Sequence, residues 1–507
     1  MRLISLLIGA LTLAAAHPAS AAEWHRATSR HFVVYSDGPV DGLRDFTGQL
    51  ARFDEVLRGR THVPEGDDSN PLTVFLVKDQ TAVATAMGFS SNNSVYGYYE
   101  AHAGGNIAVA SRQGTQRGDM FDLTARPTLF HEYTHHFMLQ HFPQIYSRWY
   151  SEGIAELYST TEFGSDDSVT IGKPVLYRLP MLRVSTITPL DQLLANPYGG
   201  GFQEDALYSK GWLLTHYVSF TPKYAERLPA YFAAMNAGKS DKAAMESAFG
   251  CTVTQLDRQM MAYLNKGTLP IITVAVPKGA VNEVKVEDVP PVQSILMDDF
   301  IQYSSGSPDF QKRRIAGHTR KVAADHPEDL FAQRFDAEAE LDLKRYDDAQ
   351  RAAEAALRID PTDERAQLVI GQARMQALAD AKSKDKAAWA AARAWVVKAN
   401  HADPNDGLPL LVYYQSFSLE GVTPPTIASD GLFRALDLSP QDDKTRVLLA
   451  QDEARQGKYP DAVKTIRPVA ARPHYSEVVK SAATLLSQWQ QHVAAGQTAP
   501  AAGGSGS

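Results

Sequence analysis

Short apolar stretches and helical periodicity divide the first half of the chain into two regions. Three stretches rich in β-branched and aromatic side chains predict strands. They are residues 31–35, 72–77 and 106–110. Residues 43–57 have the spacing of a helix, and from about residue 124 to 264 the pattern is helical, with breaks at Pro143 and Pro222. We therefore expect a mixed sheet followed by a helical subdomain.

The second half of the chain carries a weak internal repeat. Small residues and a closing proline recur at the offset that a tetratricopeptide helix pair uses. They are Ala337, Ala349, Ala356 and Pro361, then Ala392, Ala399 and Pro404, then Ala435 and Pro440, with a degenerate unit at Ala450, Tyr459 and Ala462. We expect three or four repeats, and the alternative is a generic alanine-rich helical bundle.

A chain of 507 residues is longer than an ordinary domain with a single hydrophobic core, so several domains are expected. Residues from 269 onward are rich in valine, proline and charge without helical periodicity, which predicts a linker. The predicted units are a signal peptide at 1–22, an α+β domain at 23–268, a linker at 269–307, helical repeats at 308–492 and a disordered tail at 493–507. The fold class is thus α+β followed by all-α.

The N-terminus has the organisation of a secretory signal. An apolar run follows Met1 and Arg2 and gives way to small residues that end at Ala21 and Ala22. The run is shorter than the roughly 20 residues of a membrane anchor, so we expect cleavage near Ala21/Ala22 and a periplasmic or secreted bacterial protein.

Charge and the remaining composition narrow the classes of partner. The net charge is -8 without a basic stripe, so nucleic acid is not an expected partner. No later segment is apolar for long enough to predict a membrane span. Cys251 is the only cysteine, which allows no internal disulfide and no thiolate metal site.

The strongest local motif is HEYTH at residues 131–135, which fits H-E-x-x-H on a helix. Four residues are about one helical turn, so His131 and His135 project from one face roughly 6 Å apart and can share a zinc ion. Glu132 lies beside the metal without binding it, whereas His136 points about 100° away. The alternative is an amphipathic helix with surface histidines.

A second segment, WYSEGIAE at residues 149–156, follows at a distance that allows a turn and a returning helix. Glu152 can then supply a third ligand. Three protein ligands leave one tetrahedral position for water, and zinc lowers the pKa of that water to about 7. Such a site is catalytic rather than structural.

Together the two motifs resemble the gluzincins, zinc metallopeptidases of the MA clan related to aminopeptidase N and thermolysin. H-E-x-x-H followed by W-x-x-E-G-x-A is their arrangement, and the resemblance covers roughly residues 24–264. It implies a zincin-like metallopeptidase fold with Zn²⁺ on His131, His135 and Glu152. Glu132 would be the general base.

Two further residues are identified through the same resemblance. It implies that Glu156 accepts a hydrogen bond from a zinc histidine, and the alternative is a solvated helix carboxylate. Tyr208 begins a Y-x-K-G segment, which implies that its phenol stabilises an oxyanion; the alternative is a core tyrosine.

One departure from the aminopeptidase relatives concerns the strand before the zinc helix. Their Gly-x-Met-Glu-Asn motif holds the substrate amine on its glutamate, whereas this chain has Gly104, Gly105, Asn106 and Ile107. We therefore do not expect aminopeptidase action. An extended peptide could add to a sheet edge at Gly105, Asn106 and Ile107, which favours an endopeptidase.

Two hypotheses about function follow. The first is an exported zinc metallopeptidase, a hydrolase that cleaves peptide or protein substrates with zinc-activated water and a glutamate base. The alternative is an inactive peptidase-fold scaffold whose helical repeats bind a protein or peptide partner.

Overall fold

The computed structural model describes residues 23–66, 70–89, 95–113, 125–178, 180–182, 188–195, 202–276, 284–472 and 476–496. The predicted signal peptide, with its cleavage site at Ala21/Ala22, lies outside these residues, as do residues 497–507 of the predicted tail.

A six-stranded sheet forms the centre of the first half. Its strands are β1 (His25–Thr28), β2 (Phe32–Ser36), β3 (Leu72–Val77), β4 (Gly97–His102), β5 (Gly105–Ser111) and, from later in the chain, β9 (Lys285–Asp288). The order across the sheet is β4-β5-β3-β2-β1-β9. Strand β3 runs parallel to β2 and β5, and the other pairs are antiparallel. The three predicted strands are confirmed as β2, β3 and β5.

Helices surround this sheet and continue beyond it. In the first half they are α1 (Val40–Thr61), α2 (Gln80–Ala86), α3 (Ala125–His141), α4 (Arg148–Ser159), α5 (Leu190–Ala195), α6 (Phe202–Phe220), α7 (Pro222–Ala225), α8 (Leu228–Asn236), α9 (Asp241–Phe249) and α10 (Val253–Leu264). A small sheet pairs β6 (Glu162–Phe163), β7 (Ser168–Ile171) and β8 (Ile272–Ala275) in that order.

Helical repeats make up the second half. The helices are α11 (Pro291–Ser304), α12 (Asp309–Asp325), α13 (Leu330–Asp342), α14 (Tyr346–Ile359), α15 (Glu364–Asp380), α16 (Lys386–Ala402), α17 (Leu408–Glu420), α18 (Thr426–Leu438), α19 (Asp443–Arg455), α20 (Tyr459–Ala470) and α21 (Glu477–Ala494). Each packs against the next, and α11, α13, α15 and α17 also pack side by side. The described helices thus make five pairs and a final helix, where three or four repeats were predicted.

Small side chains allow these helices to pack closely. All eight alanines that the repeat pattern identified are at most 1% exposed. The prolines Pro361, Pro404 and Pro440 each follow the end of a helix by two residues. Aspartates begin several of the helices: Asp363, for example, accepts a hydrogen bond from the Ala366 amide at 2.8 Å, a cap that stabilises a helix by about 1 kcal/mol.

The segment predicted as a linker at 269–307 contains β8, β9 and α11. Strand β9 pairs with β1 at the edge of the main sheet. Because its outward-facing residues are polar, the sequence of this segment shows no regular apolar period. Helix α11 covers the sheet face that carries Phe75 and Val77, with Met297 and Ile301 buried there. The opposite face, with Val74 and Leu76, packs on α1 and α3.

Helices α4 and α6 approach closely at two glycines. A side chain on Gly153 would lie 2.8 Å from the Gly211 carbonyl carbon and overlap Thr215, and one on Gly211 would lie 2.9 Å from the Trp149 carbonyl oxygen. Overlap at this distance forces the helices apart. The two glycines therefore set the depth at which α4 lies against α6.

Gly153→Ala should lower the free energy of unfolding by about 1–3 kcal/mol, because overpacking a tight contact costs that much. The measurement is urea unfolding followed by circular dichroism. Gly48→Ala is the matched control: Gly48 lies in α1 with nothing within 4 Å of the added carbon, so it should stabilise by about 0.5–1 kcal/mol. Equal effects of the two substitutions would contradict the role of the contact.

Candidate metal centre

Helices α3 and α4 bring the three predicted ligands together. His131 and His135 lie one turn apart on α3, and their Nε2 atoms are 3.1 Å apart. Glu152 on α4 is fully buried, and its Oε2 lies 3.4 Å from His131 Nε2 and 3.6 Å from His135 Nε2. The sequence prediction that these side chains converge on one point agrees with this geometry.

The triangle of ligand atoms fits a zinc ion. Bonds of about 2.0–2.1 Å at tetrahedral angles place any two ligand atoms about 3.3–3.5 Å apart. The three observed separations, 3.1, 3.4 and 3.6 Å, bracket that value. Two imidazoles and one carboxylate are also a ligand set that zinc accepts while leaving a fourth position open.

Negative charge surrounds the first histidine. Burial lowers the pKa of the His131 imidazole, but Glu152, Glu156 and Glu132 outweigh that effect and raise this pKa to about 9. A cation is therefore favoured at this point, whether it is a proton or a metal ion.

A buried network positions α3 behind the two histidines. Tyr133, between them in sequence, donates a hydrogen bond to the Asp54 carboxylate of α1 at 2.7 Å, and Arg58 donates to the same carboxylate at 2.7 Å. His31 Nε2 is 3.5 Å from Asp54. His31, Asp54 and Glu65 also converge, but the bonds from Tyr133 and Arg58 already occupy Asp54, so we regard this group as structural.

Glu156 lies one turn after Glu152 and is 1% exposed. Its Oε1 is 4.0 Å from His131 Nδ1, too far for the hydrogen bond that the resemblance implied. Its carboxylate instead accepts hydrogen bonds from Tyr177 Oη at 2.7 Å and Arg178 Nε at 2.9 Å. Sequence reasoning missed Tyr177 and Arg178, because their position depends on how the short helical turn Leu176–Arg178 folds back over α4.

Tyr208 lies on α6 beside the centre. Its ring centroid is 6.2 Å from that of His131, and the Arg178 guanidinium lies 4.6 Å above its ring. Burial, reinforced by Glu152 and Glu132, raises the pKa of the phenol well above its ordinary value. Tyr208 therefore stays protonated and can donate a hydrogen bond. Glu132 is half-buried on α3, close enough to act on both His131 and Tyr208 electrostatically.

The predicted substrate strand does not lie at a free edge. Strand β5 contains Gly105, Asn106 and Ile107, which pair with His102, Ala101 and Glu100 of β4. On its other side Ile107 also pairs with Thr73 of β3. Strand addition needs an unpaired backbone edge, so the prediction for these three residues is wrong and the argument it gave for an endopeptidase is lost.

His136 connects the centre to the repeats. It is buried, and its Nδ1 lies 3.0 Å from Tyr99 Oη of β4 and 3.5 Å from Gln441 Nε2. Gln441 also donates to Gln140 of α3. The loop before α19 therefore packs directly against the helix that carries the histidines.

Comparison with solved structures finds helical-repeat proteins. The tetratricopeptide-repeat protein TTC0263 of Thermus thermophilus is similar over 39% of this chain and 99% of its own, with 18% identity and a TM-score of 0.33. Yeast Tom70 is similar over 71% of this chain and 69% of its own, with 11% identity and a TM-score of 0.26. The sequence matches no protein family and no curated protein.

These findings correct the gluzincin resemblance. The neighbours are tetratricopeptide-repeat proteins, and neither is a zincin or a peptidase, so the assignment to that family of metalloproteases is wrong. The stacked helices of the structure bear out the helical-repeat part of the predicted fold class, which a sheet precedes. Neither neighbour supports its zincin-like part or the zinc and H-E-x-x-H assignments. Likeness at these scores carries no function, so the metal centre rests on its own geometry.

Removing Arg178 should destabilise the protein through Glu156. Arg178→Ala leaves a buried carboxylate without its charged donor, which should lower the free energy of unfolding by about 1.5–3 kcal/mol. Adding Glu156→Gln should recover part of that loss, because the uncompensated charge is gone. Urea unfolding of the single and double variants tests this, and strictly additive losses would contradict it.

Proposed function

We propose that the protein binds one zinc ion through His131, His135 and Glu152 and hydrolyses peptide bonds in a polypeptide substrate. The observation that carries the proposal is the triangle of ligand atoms, whose edges of 3.1, 3.4 and 3.6 Å suit tetrahedral zinc. It does not depend on membership of any peptidase family. Zinc in such a site acidifies a water molecule and polarises a carbonyl oxygen.

Two side chains beside the ligands have the chemistry that hydrolysis requires. Glu132 can take the proton of the attacking water and pass it to the leaving amine. Tyr208 can donate a hydrogen bond to the oxyanion, and its raised pKa keeps the donor proton in place. Ser151 Oγ, 3.4 Å from His135 Nδ1, can orient the ring of His135.

The edge of the main sheet suggests how a substrate is presented. Strand β4 is one of the two terminal strands of the described sheet, and Tyr99 on it contacts His136 of α3. An extended peptide would therefore pair with β4 (Gly97–His102) rather than with β5. This moves the predicted substrate contact to the neighbouring strand.

Helical repeats favour a second function, the binding of a protein partner. Stacked helix pairs create a concave surface, and here that surface faces the sheet. None of the helices in the described residues combines the length and apolarity needed to cross a bilayer. Partner binding would persist without hydrolysis, which separates the two functions experimentally.

Metal content and cleavage should change differently in two variants. Glu132→Gln should keep about one zinc per chain and lower hydrolysis about 10²- to 10⁴-fold, because the base is lost and the ligands remain. His131→Ala should lose both the zinc and the hydrolysis. Elemental analysis and mass spectrometry of a random dodecapeptide pool, incubated with each preparation, give the two readouts.

His401→Ala is the control for histidine loss, because His401 is exposed at the end of α16. It should leave zinc content and cleavage unchanged. Zinc in the wild type without cleavage of any peptide would contradict the hydrolase and leave partner binding as the function. No zinc in the wild type would contradict the metal centre itself.

A further inference from the structure

A cavity of about 640 Å³ lies between the main sheet and the concave side of the repeats. The turn of the β4–β5 hairpin forms one wall, and α11, α13, α15, α17 and α19 form the other. Arg365 of α15 donates to the Gly104 carbonyl at 2.8 Å, and Ser439 donates to the Ala103 carbonyl at 3.3 Å. The cavity is thus held between both halves and has the size of a small-molecule site.

The charges around this cavity do not balance. Six carboxylates lie at or directly behind the wall with four cations: Glu338, Asp342 and Asp442 line the cavity with Arg334, Arg365 and Lys444, and their ion-pair partners Asp363, Glu364, Asp406 and Lys312 lie behind them. Lys312 pairs with Asp342 at 3.0 Å, Arg334 pairs with Asp363 at 3.4 Å, and Arg365 is shared between Glu364 and Asp406 at 3.4 Å each. The cluster therefore lacks positive charge.

Glu338 is the carboxylate that faces the cavity without a partner. In the described part of the chain its side chain has no hydrogen bond and no ion pair within 4.0 Å, and at longer range the cations Arg365 and Arg334 are opposed by the carboxylates Asp363 and Asp342. Glu364 Oε1, close by, is buried without a hydrogen-bond partner. Burial raises the pKa of Glu338, and burial raises the pKa of Glu364 to about 8. A bound cation would relieve both carboxylates.

Aromatic rings complete the same wall. Tyr303, Phe331 and Phe335 line the cavity with Glu338, and the Tyr303 and Phe335 centroids are 5.4 Å apart. Aromatic faces attract cations and also pack against methylene groups. A carboxylate beside aromatic rings therefore suits an alkyl chain that ends in a positive charge.

We propose that this cavity binds a primary ammonium group, with Glu338 as its counter-ion and Tyr303 and Phe331 packed against the attached alkyl chain. The ammonium group can belong to a free alkylamine or to a lysine side chain of a polypeptide. Glu338 lies in the repeats and not among the zinc ligands, so this site goes beyond the proposed hydrolysis and is tested apart from it.

Calorimetric titration of the full chain tests the site with two probes. Cadaverine represents a free alkylamine, and acetyl-Gly-Gly-Lys-Gly-Gly-amide represents a lysine side chain. At least one should bind the wild type, and Glu338→Gln should weaken that binding at least tenfold. Glu328→Gln, the matched control, removes an exposed carboxylate between α12 and α13 and should bind as the wild type does.

Two further measurements separate ammonium binding from effects of folding and of zinc. The same peptide with acetylated lysine should not bind the wild type, because it has no positive charge. His131→Ala should bind the ammonium probe normally even where zinc and hydrolysis are lost. Failure of both probes with the wild type, equal binding by Glu338→Gln, or equal binding of the acetylated peptide would overturn the proposal.

Discussion

The close contact of α4 and α6 is the constraint on which the candidate centre depends. Glycine at positions 153 and 211 lets one helix backbone approach the other, so that Glu152 lies beneath the two histidines of α3. The same contact places Tyr208 of α6 beside His131. A wider separation of these helices would move Glu152 and Tyr208 away from the two histidines together.

Local patterns in the sequence predicted some features of the structure and not others. Periodicity and the H-E-x-x-H spacing identified β2, β3, β5 and α3, and the structure brings the side chains of His131, His135 and Glu152 together. Strand β4 was missed because its tyrosines and glycine give no clear apolar run. Arg178 was missed because nothing local distinguishes an arginine that folds back onto a buried carboxylate from one in solvent.

The family resemblance shows a different limit of sequence reasoning. Ligand spacing reports which side chains can share an ion, but it does not report the architecture that surrounds them. Here the helical repeats pack against the sheet and α3: α11 covers one face of the sheet, and the loop before α19 contacts His136 and Gln140. Site geometry and fold family are therefore separate questions: the geometry bears on the proposed hydrolysis, and the repeats bear on the proposed binding of a partner.

Pairing of β1 with β9 has a consequence for how the protein is made. His25 contacts Asp288 across 263 residues of chain, so the outermost strand of the sheet leaves the ribosome long after its neighbour. Until residue 304 has emerged, the face that carries Phe75, Val77 and Val109 lacks the cover of α11 and is packed only by earlier residues such as Val83 of α2. High contact order of this kind slows folding and prolongs the exposure of apolar surface. The first half of the chain therefore cannot complete the burial of this face by itself.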